Sequence, residues 1–379
     1  MQDSFEKYLP WLILREIPCI GNAMYKKLID RFKSPEAVLS ASEAELGSVG
    51  KVSAKTIHGI IHHKMFIDQA KRELEQIFKN NISIVTLMDS LYPVLLKQIP
   101  DPPLFLSYYG SLDSESPCVS VIGSRTATSY GLSTAENLSC KLAEKGFQIV
   151  SGLARGIDAM AHKGALKAKG KTIAVLGSGL KKIYPKENDR LFDSIAESGT
   201  IFSEFKVAAD PMPGHFPVRN RVIAGLSCGS IVVEAAKRSG SLITARLAAE
   251  YNREVFAVPG SIKSKKSEGT HSLLKQGAKL VESEIDIIDE LYHFIHPKKN
   301  DIPIISSKQL NAGSNNSYIA QDRPLILNFL EPYPVHIDII IEKSGITSSD
   351  VASQLLDLEL EGLVRRHPGN CYSISEDYH

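Results

Sequence analysis

Short apolar runs recur along the middle of the chain, at residues 119–123, 147–150, 172–176, 200–203, 230–233, 254–258 and 278–281. Most stop at Gly, Ser, Arg or an acid, and longer stretches with helical spacing lie between them. Runs of this length without alternation fit strands buried on both faces, and the intervening helices fit the crossovers that parallel strands require. The pattern predicts an α/β fold with a mostly parallel sheet covered on both faces. Ligands collect at the carboxyl ends of such strands, where the polar residues fall.

The flanks read differently. Residues 1–80 predict a helical domain. The apolar run 11–17 leads into Ile17-Pro18-Cys19-Ile20-Gly21-Asn22 and an amphipathic stretch, 24–32. Leu46-Gly47-Ser48-Val49-Gly50-Lys51-Val52-Ser53 and 54–65 repeat the idea, and 66–78 continues as helix. Helix, glycine turn, helix resembles a pair of helix-hairpin-helix units. A purely structural or protein-contact role and weak phosphate contact through the turn amides both remain open. Residues 81–296 form the central domain, entered through strands at 82–86 and 104–109. Residues 297–320, rich in Pro, Lys, Ser and Asn, read as a linker. Residues 321–379 predict helices at 324–330, 336–343 and 348–361, the last capped by Ser348 or Ser349. A two-stranded wing follows at 362–364 and 372–374, turned at Pro368-Gly369-Asn370.

The formal net charge of +1 over 379 residues conceals a division. Residues 117–296 hold 24 Lys or Arg against 18 Asp or Glu, whereas residues 321–379 hold 4 against 10. The central domain can therefore take an anionic ligand, and the acidic tail suits a protein-contact or accessory role. The cysteines Cys19, Cys118, Cys140, Cys228 and Cys371 are scattered without CxxC spacing. Neither a disulfide scaffold nor a metal site is expected, and no cofactor. With no basic-then-apolar N-terminus and no apolar run long enough for a membrane span, a cytoplasmic protein is expected.

The candidate chemistry sits at the strand ends. After the first core strand comes Gly123-Ser124-Arg125 with Thr126, Thr128 and Ser129, and the dinucleotide fingerprint GxGxxG is absent. Glycine lets a ligand approach, hydroxyls can donate to phosphate, and Arg125 offers a planar fork of donors. Ser151, Gly152, Arg155 and Gly156 form an amide-rich loop after the second strand. Asp158 and His162 share a helical face, where the carboxylate is expected to orient the imidazole or cap the loop. Lys181, Lys182 and Lys186 follow the third strand and can neutralise a polyanion. Arg219 and Arg221 open a helix, one expected to face a ligand while the other pairs with an acid such as Glu204 or Glu234. Ser241 and Thr244 mark a second hydroxyl-rich helix entrance. The expected contact set is thus Gly123, Ser124, Arg125, Ser151, Gly152, Arg155, Gly156, Lys181, Lys182, Lys186, Arg219, Arg221, Ser241 and Thr244. Asp158, His162, Glu204 and Glu234 support it, and no residue is assigned to catalysis.

These motifs resemble the bacterial DNA-processing protein A family, also called the Smf family. The resemblance rests on Val121-Ile122-Gly123-Ser124-Arg125, residues 151–158 with Ala161-His162, Tyr184-Pro185 with Asn188, Ser203-Glu204, Phe216-Pro217 with residues 219–227, residues 239–245 and Pro259-Gly260. It implies a Rossmann-like central domain with a pocket for single-stranded DNA, and dimerisation through that domain. It also implies a sterile-alpha-motif-like or helix-hairpin-helix-like N-terminal domain and a winged helix at the C-terminus. The implied role is binding single-stranded DNA and loading a strand-exchange recombinase of the RecA type in natural transformation and recombination, without catalysis. In the family the pocket uses the arginine matching Arg125 and nearby lysines, of which Lys186 matches one. His271 stands where the family usually has asparagine, and no lysine lies between Asp210 and His215. The alternative is a Rossmann-like nucleotide-binding or nucleotide-hydrolysing enzyme. Nucleotide phosphoribohydrolases of that fold carry Pro-Gly-Gly-x-Gly-Thr, and this chain has Pro259-Gly260-Ser261.

Overall fold

The amphipathic stretches at the N-terminus fold as α1 (Gln2–Glu16), α2 (Asn22–Phe32), α3 (Pro35–Ser40), α4 (Glu43–Ser48), α5 (Ala54–Ile61) and α6 (Ile67–Lys79) in a computed structural model. It describes residues 2–18, 20–295, 326, 329–330, 335–344, 346–360, 362–367 and 369–374. Local chemistry sets the helix starts: the hydroxyls of Ser34, Ser42 and Ser53 each accept the amide three residues on, and Glu45 completes a capping box with Ser42. The turn at Gly21 is exposed and borders an open cavity of about 250 Å³ between the helices and the sheet, beside Phe105 and Glu204.

Among the described residues, nine strands form one sheet: β1 (Ser83–Thr86), β2 (Phe105–Gly110), β3 (Cys118–Ile122), β4 (Gln148–Ser151), β5 (Thr172–Val175), β6 (Thr200–Ser203), β7 (Gly229–Val232), β8 (Glu254–Ala257) and β9 (Lys279–Leu280). Their spatial order is β1-β2-β6-β5-β4-β3-β7-β8-β9. The strands from β6 to β9 in that order pair in parallel, while β1–β2 and β2–β6 pair antiparallel. Strands β3 to β7 are buried at every position, which explains why they are mainly apolar and do not alternate with charged residues. The chain adds β4, β5 and β6 to one side of β3, then returns to add β7, β8 and β9 to the other. The β3–β7 boundary is therefore the topological switch point of a Rossmann-like sheet, where a crevice opens at the strand carboxyl ends.

The remaining helices of this unit are α7 (Val94–Gln98), α8 (Ser129–Glu144), α9 (Ile157–Lys167), α10 (Asp189–Ser198), α11 (His215–Leu226), α12 (Ser241–Glu250), α13 (Glu268–Lys275) and α14 (Ile285–Ile295). Val119, Val121 and Ile149 point into one core with Leu138, Leu142 and Ile157, while Ile122, Val150 and Phe202 join a second core shared with the N-terminal helices. None of the helices among the described residues is long and apolar enough to cross a membrane.

Residues 301–379 form a second compact unit. It holds β10 (Val335–His336), α15 (Ile337–Ser344), α16 (Ser348–Leu360), β11 (Val364–His367) and β12 (Cys371–Ile374), with strand order β10-β12-β11. Ile340, Val351, Leu355, Leu358, Val364 and Tyr372 fill its core. Two readings change here. His336 belongs to a strand paired with Cys371, because Val335–His336 is too short to carry a periodicity of its own. The cap of α16 is Thr347, whose hydroxyl accepts the Asp350 amide at 3.3 Å, and neither Ser348 nor Ser349. The linker 297–320, and most of the expected helix at 324–330, lie outside the described residues.

The close packing of α8 on α9 rests on Gly164, where an added Cβ would lie 2.2 Å from the Glu136 carbonyl oxygen. Gly164→Ala should force the helices apart and lower stability by about 1–3 kcal/mol, read by chemical denaturation.

Candidate nucleic-acid interface

A pocket of about 440 Å³ opens at the switch point. Its wall on the β3 side is Ile122, Gly123, Ser124 and Arg125, and on the β7 side Ala236, Ser239, Gly240, Ser241 and Thr244. Phe216, Arg219 and Asn220 of α11 close the base. Gly123 is required there, since a Cβ would meet Ile157 and the Glu234 carbonyl within 3 Å. Arg125 is exposed and makes no hydrogen bond or ion pair among the described residues. Its guanidinium lies 5.1 Å from the Phe216 ring centroid, a cation–π contact that leaves its donors free. A narrower cleft of about 40 Å³ continues past Arg125 to Gly152, Arg155, Tyr184 and Phe216. Tyr184 and Phe216 lie 5.9 Å apart, and the Tyr184–Pro185 peptide is cis.

The groups beneath the pocket are consumed internally. Glu234, buried at the end of β7, accepts the Thr128 amide at 3.0 Å and the Thr128 hydroxyl. The Thr128 hydroxyl oxygen in turn accepts the Gly131 amide and caps α8. A Cβ on Gly131 would sit 2.5 Å from the Glu234 carboxyl carbon, so the glycine makes room for an acid. The N-terminus of α8, the usual phosphate seat in this fold, thus holds a carboxylate of the protein itself. Asp158 accepts the Gly152 amide at 3.1 Å. Burial raises its pKa against the opposing charge of Arg219. Buried Arg219 donates to the Gly152 carbonyl at 2.6 Å and to the Val175 carbonyl, joining the ends of β4 and β5. Burial lowers its pKa to about 10, so it stays charged at neutral pH. Arg219 is therefore a charged wall of the pocket whose carbonyl-bound nitrogen is already spoken for.

Several expected contacts fall elsewhere. Arg221 points away from the pocket, buried between Glu204 and Asp101, so its charge is compensated internally. Position 221 lies two residues from 219 on one helix, which puts the side chains on different faces. Glu204 supports that pair and not the pocket; burial raises its pKa and Arg221 opposes the rise. The Ser151 hydroxyl donates to the Val121 carbonyl at 2.7 Å. Gly156 adopts φ +73°, and a Cβ there would strike the Ser124 carbonyl at 2.3 Å, so it seats the loop behind Arg125. Lys181, Lys182 and Lys186 are exposed outside the pocket lining, with Lys182 3.1 Å from Asp210. Arg155 pairs with Glu187 at 2.7 Å, a surface contact that a ligand can displace at little cost. Gly123, Ser124, Arg125, Asp158, Arg219, Ser241 and Thr244 do come together in the pocket, and Gly152 and Arg155 in the cleft. Sequence reasoning missed Phe216, Asn220 and Tyr184 as site residues. No local signal marks them, because Phe216 and Arg125 are 91 residues apart and meet only in the fold.

The family model described as DNA recombination-mediator protein A matches residues 83–292, which span all nine strands and the whole pocket. This chain belongs to the DprA/Smf family. The model of the DprA winged helix domain matches residues 316–370. Protein Smf of Synechocystis sp. is 35% identical over 398 residues, covering 98% of this chain and 99% of the relative. The DNA processing protein DprA of Streptococcus pneumoniae is 44% identical over 250 residues, covering 65% and 87%. Its X-ray structure matches with a TM-score of 0.65 and 38% identity, over 73% of this chain and 95% of that one. The DNA processing protein A structure from Helicobacter pylori, described for its single-stranded DNA binding mode, matches with a TM-score of 0.51 and 32% identity, over 56% and 95%. Within this DprA/Smf fold no three His, Cys, Asp or Glu among the described residues gather as metal ligands.

No hydrogen bond or ion pair links His162 to Asp158. The Thr172 hydroxyl donates to the Ile149 carbonyl at 2.6 Å, so His162 Nδ1 donates to Thr172 Oγ1 at 2.7 Å. Its Nε2 is buried without a partner. Burial, aided by Arg219, pushes its pKa from 6.5 down to about 3. The unfolded chain takes up this proton first as pH falls. The neutral imidazole's contribution is complete above pH 6.5 and drains away toward pH 3. Between pH 7.5 and 5.5 the wild type should lose about 1 kcal/mol that His162→Gln does not lose, measured as paired urea denaturation curves.

Proposed function

We propose that this protein binds single-stranded DNA at the switch-point pocket, with little base preference, and hands it to a strand-exchange recombinase of the RecA type in natural transformation and recombination. It acts as a homodimer and performs no turnover. The observation that carries this reading is Arg125, an unpaired guanidinium stacked on Phe216 at the mouth of a 440 Å³ pocket. Stacking surface beside a free cation is how proteins hold single strands without reading them. A nucleotide splayed from a single strand can enter such a pocket, whereas a paired base must first be extruded from its duplex. Arg125, Ser124 and Gly123, with Ser241 and Thr244 opposite, are the proposed contacts. Gly152, Arg155 and Lys186 extend them along the cleft. Asp158, Glu234 and Arg219 hold the frame. The nucleotide-enzyme reading is disfavoured, since Glu234 already occupies the helix terminus that would bind a nucleotide phosphate.

Fluorescence anisotropy with labelled strands of several compositions and a duplex of equal length tests the proposal. Single strands should bind more tightly. Arg125→Ala should weaken all of them about equally and shallow the salt slope by about 0.7, the loss of one phosphate contact. Duplex binding that equals or exceeds single-strand binding, or intact affinity in Arg125→Ala, would refute it.

The winged-helix unit is proposed as accessory. Asp350 and Asp357 are exposed on α16, which carries no base, so a phosphate backbone is repelled from the face that would enter a groove. Removing residues 321–379 should leave single-strand affinity within a few-fold. A loss of more than about tenfold, 1.4 kcal/mol, would show that the unit grips DNA.

A further inference from the structure

Unpaired cations flank the pocket on both sides. On the β5 side, Lys181 and Lys186 are exposed and make no ion pair among the described residues, while Arg155 and Lys182 are matched by Glu187 and Asp210. On the β8 side, Lys263 and Lys265 are exposed and make no ion pair among the described residues, and the same holds for Arg238 in the turn after β7. The nearby acid Glu268, in the first turn of α13, is exposed and pairs with none of them. Between the glycine turn and these lysines stands Ile262, 90% exposed.

This loop is firmly placed. The Lys266 carbonyl accepts the Ala235 amide at 2.8 Å, and the Ala235 carbonyl accepts the Gly269 amide at 2.8 Å. The Lys266 ammonium donates to the Thr126 carbonyl. The Ser261 and Ser264 hydroxyls accept the Lys263 and Lys266 amides at 3.3 and 3.2 Å. His271 Nε2 and the Gly260 carbonyl oxygen lie 3.1 Å apart, closing the base of the loop. The Lys266 end is thereby tied both to Thr126, beside Arg125, and to Ala235, beside Ala236 of the pocket wall, and the Gly260 end is held by His271.

We infer that residues 261–266 are a second strand-binding element: Lys263 and Lys265 take backbone phosphates of nucleotides leaving the pocket past β8, and Ile262 lies against a base or sugar. Lys266 is a positioning residue that couples this loop to the Arg125 loop. The inference rests on the single-strand reading above and extends it. The ligand is the phosphodiester backbone, because flexible ammonium groups bind phosphate as point charges without demanding a base. An apolar tip among cations suits a nucleotide, which offers an apolar face between charged links.

The test uses the full-length protein and labelled oligothymidylates of about 5 and about 20 nucleotides, bracketing the usual span of one single-strand site. Lys263→Gln with Lys265→Gln should leave the short strand's affinity unchanged. It should weaken the long strand about tenfold at low salt and shallow its salt slope by about 1.4, two contacts at single-strand density. Ile262→Ser should weaken the long strand with no change in slope. All three positions are exposed, and unchanged thermal melts confirm folding. Wild-type affinity and slope in the double variant on the long strand, or equal weakening on both strands, would overturn the inference while leaving the pocket reading intact. A wild-type protein that binds neither strand would overturn both.

Discussion

Glu234 occupies the place that a nucleotide-binding relative of this fold gives to a phosphate. Its carboxylate receives the amide and hydroxyl of Thr128 at the start of α8, and Gly131 leaves room for it. An anion at a helix N-terminus is favourable, and one supplied by the protein is always present. The loop from Ser124 to Thr128 is therefore fixed without a ligand, and Arg125 is left facing outward. The same sheet that elsewhere binds a cofactor at its switch point is converted here into a rigid mount for one arginine.

The floor follows a similar logic. Arg219 spends a nitrogen on carbonyls of Gly152 and Val175, and Asp158 holds the amide of Gly152. Buried charges are costly, and their removal one at a time costs more, because the partner is left unpaired. The arrangement locks the ends of β4 and β5 against α11, which carries Phe216 to its place beneath Arg125. The Arg221–Glu204 pair does the same on the opposite face of α11, next to the N-terminal helices. The proposed function at the surface thus depends on a frame of ion pairs and hydrogen bonds made within the protein.

The parallel sheet was legible in the sequence because strands buried on both faces are predominantly apolar, and β3 to β7 are, with only small hydroxyls and Gln148 among them. The polar strand ends were legible for the same reason, which is why Gly123, Ser124 and Arg125 could be picked out. What could not be read was how each charge is used. Thr128 meets Glu234 across 106 residues and Arg219 meets Val175 across 44. No local pattern distinguishes an arginine that is consumed internally from one that is free. The assignment of Arg221 to the ligand failed on this point, since its partner Glu204 was known only as one of two acids. Asp158 was more tractable: an acid just after a glycine loop caps that loop by proximity alone. Phe216 escaped as a contact because its role depends on α11 crossing the ends of strands far away in sequence.

We propose that this pocket is preorganised for a strand and that Glu234 closes the α8 N-terminus to a nucleotide phosphate. A competition titration addresses it most directly: a labelled single strand bound to the full-length protein, challenged in turn with unlabelled strand, free ATP and NAD. Unlabelled strand should displace the label, and neither nucleotide should do so at micromolar concentration. Displacement by either nucleotide at that concentration would contradict the account and restore the reading of a nucleotide-binding site.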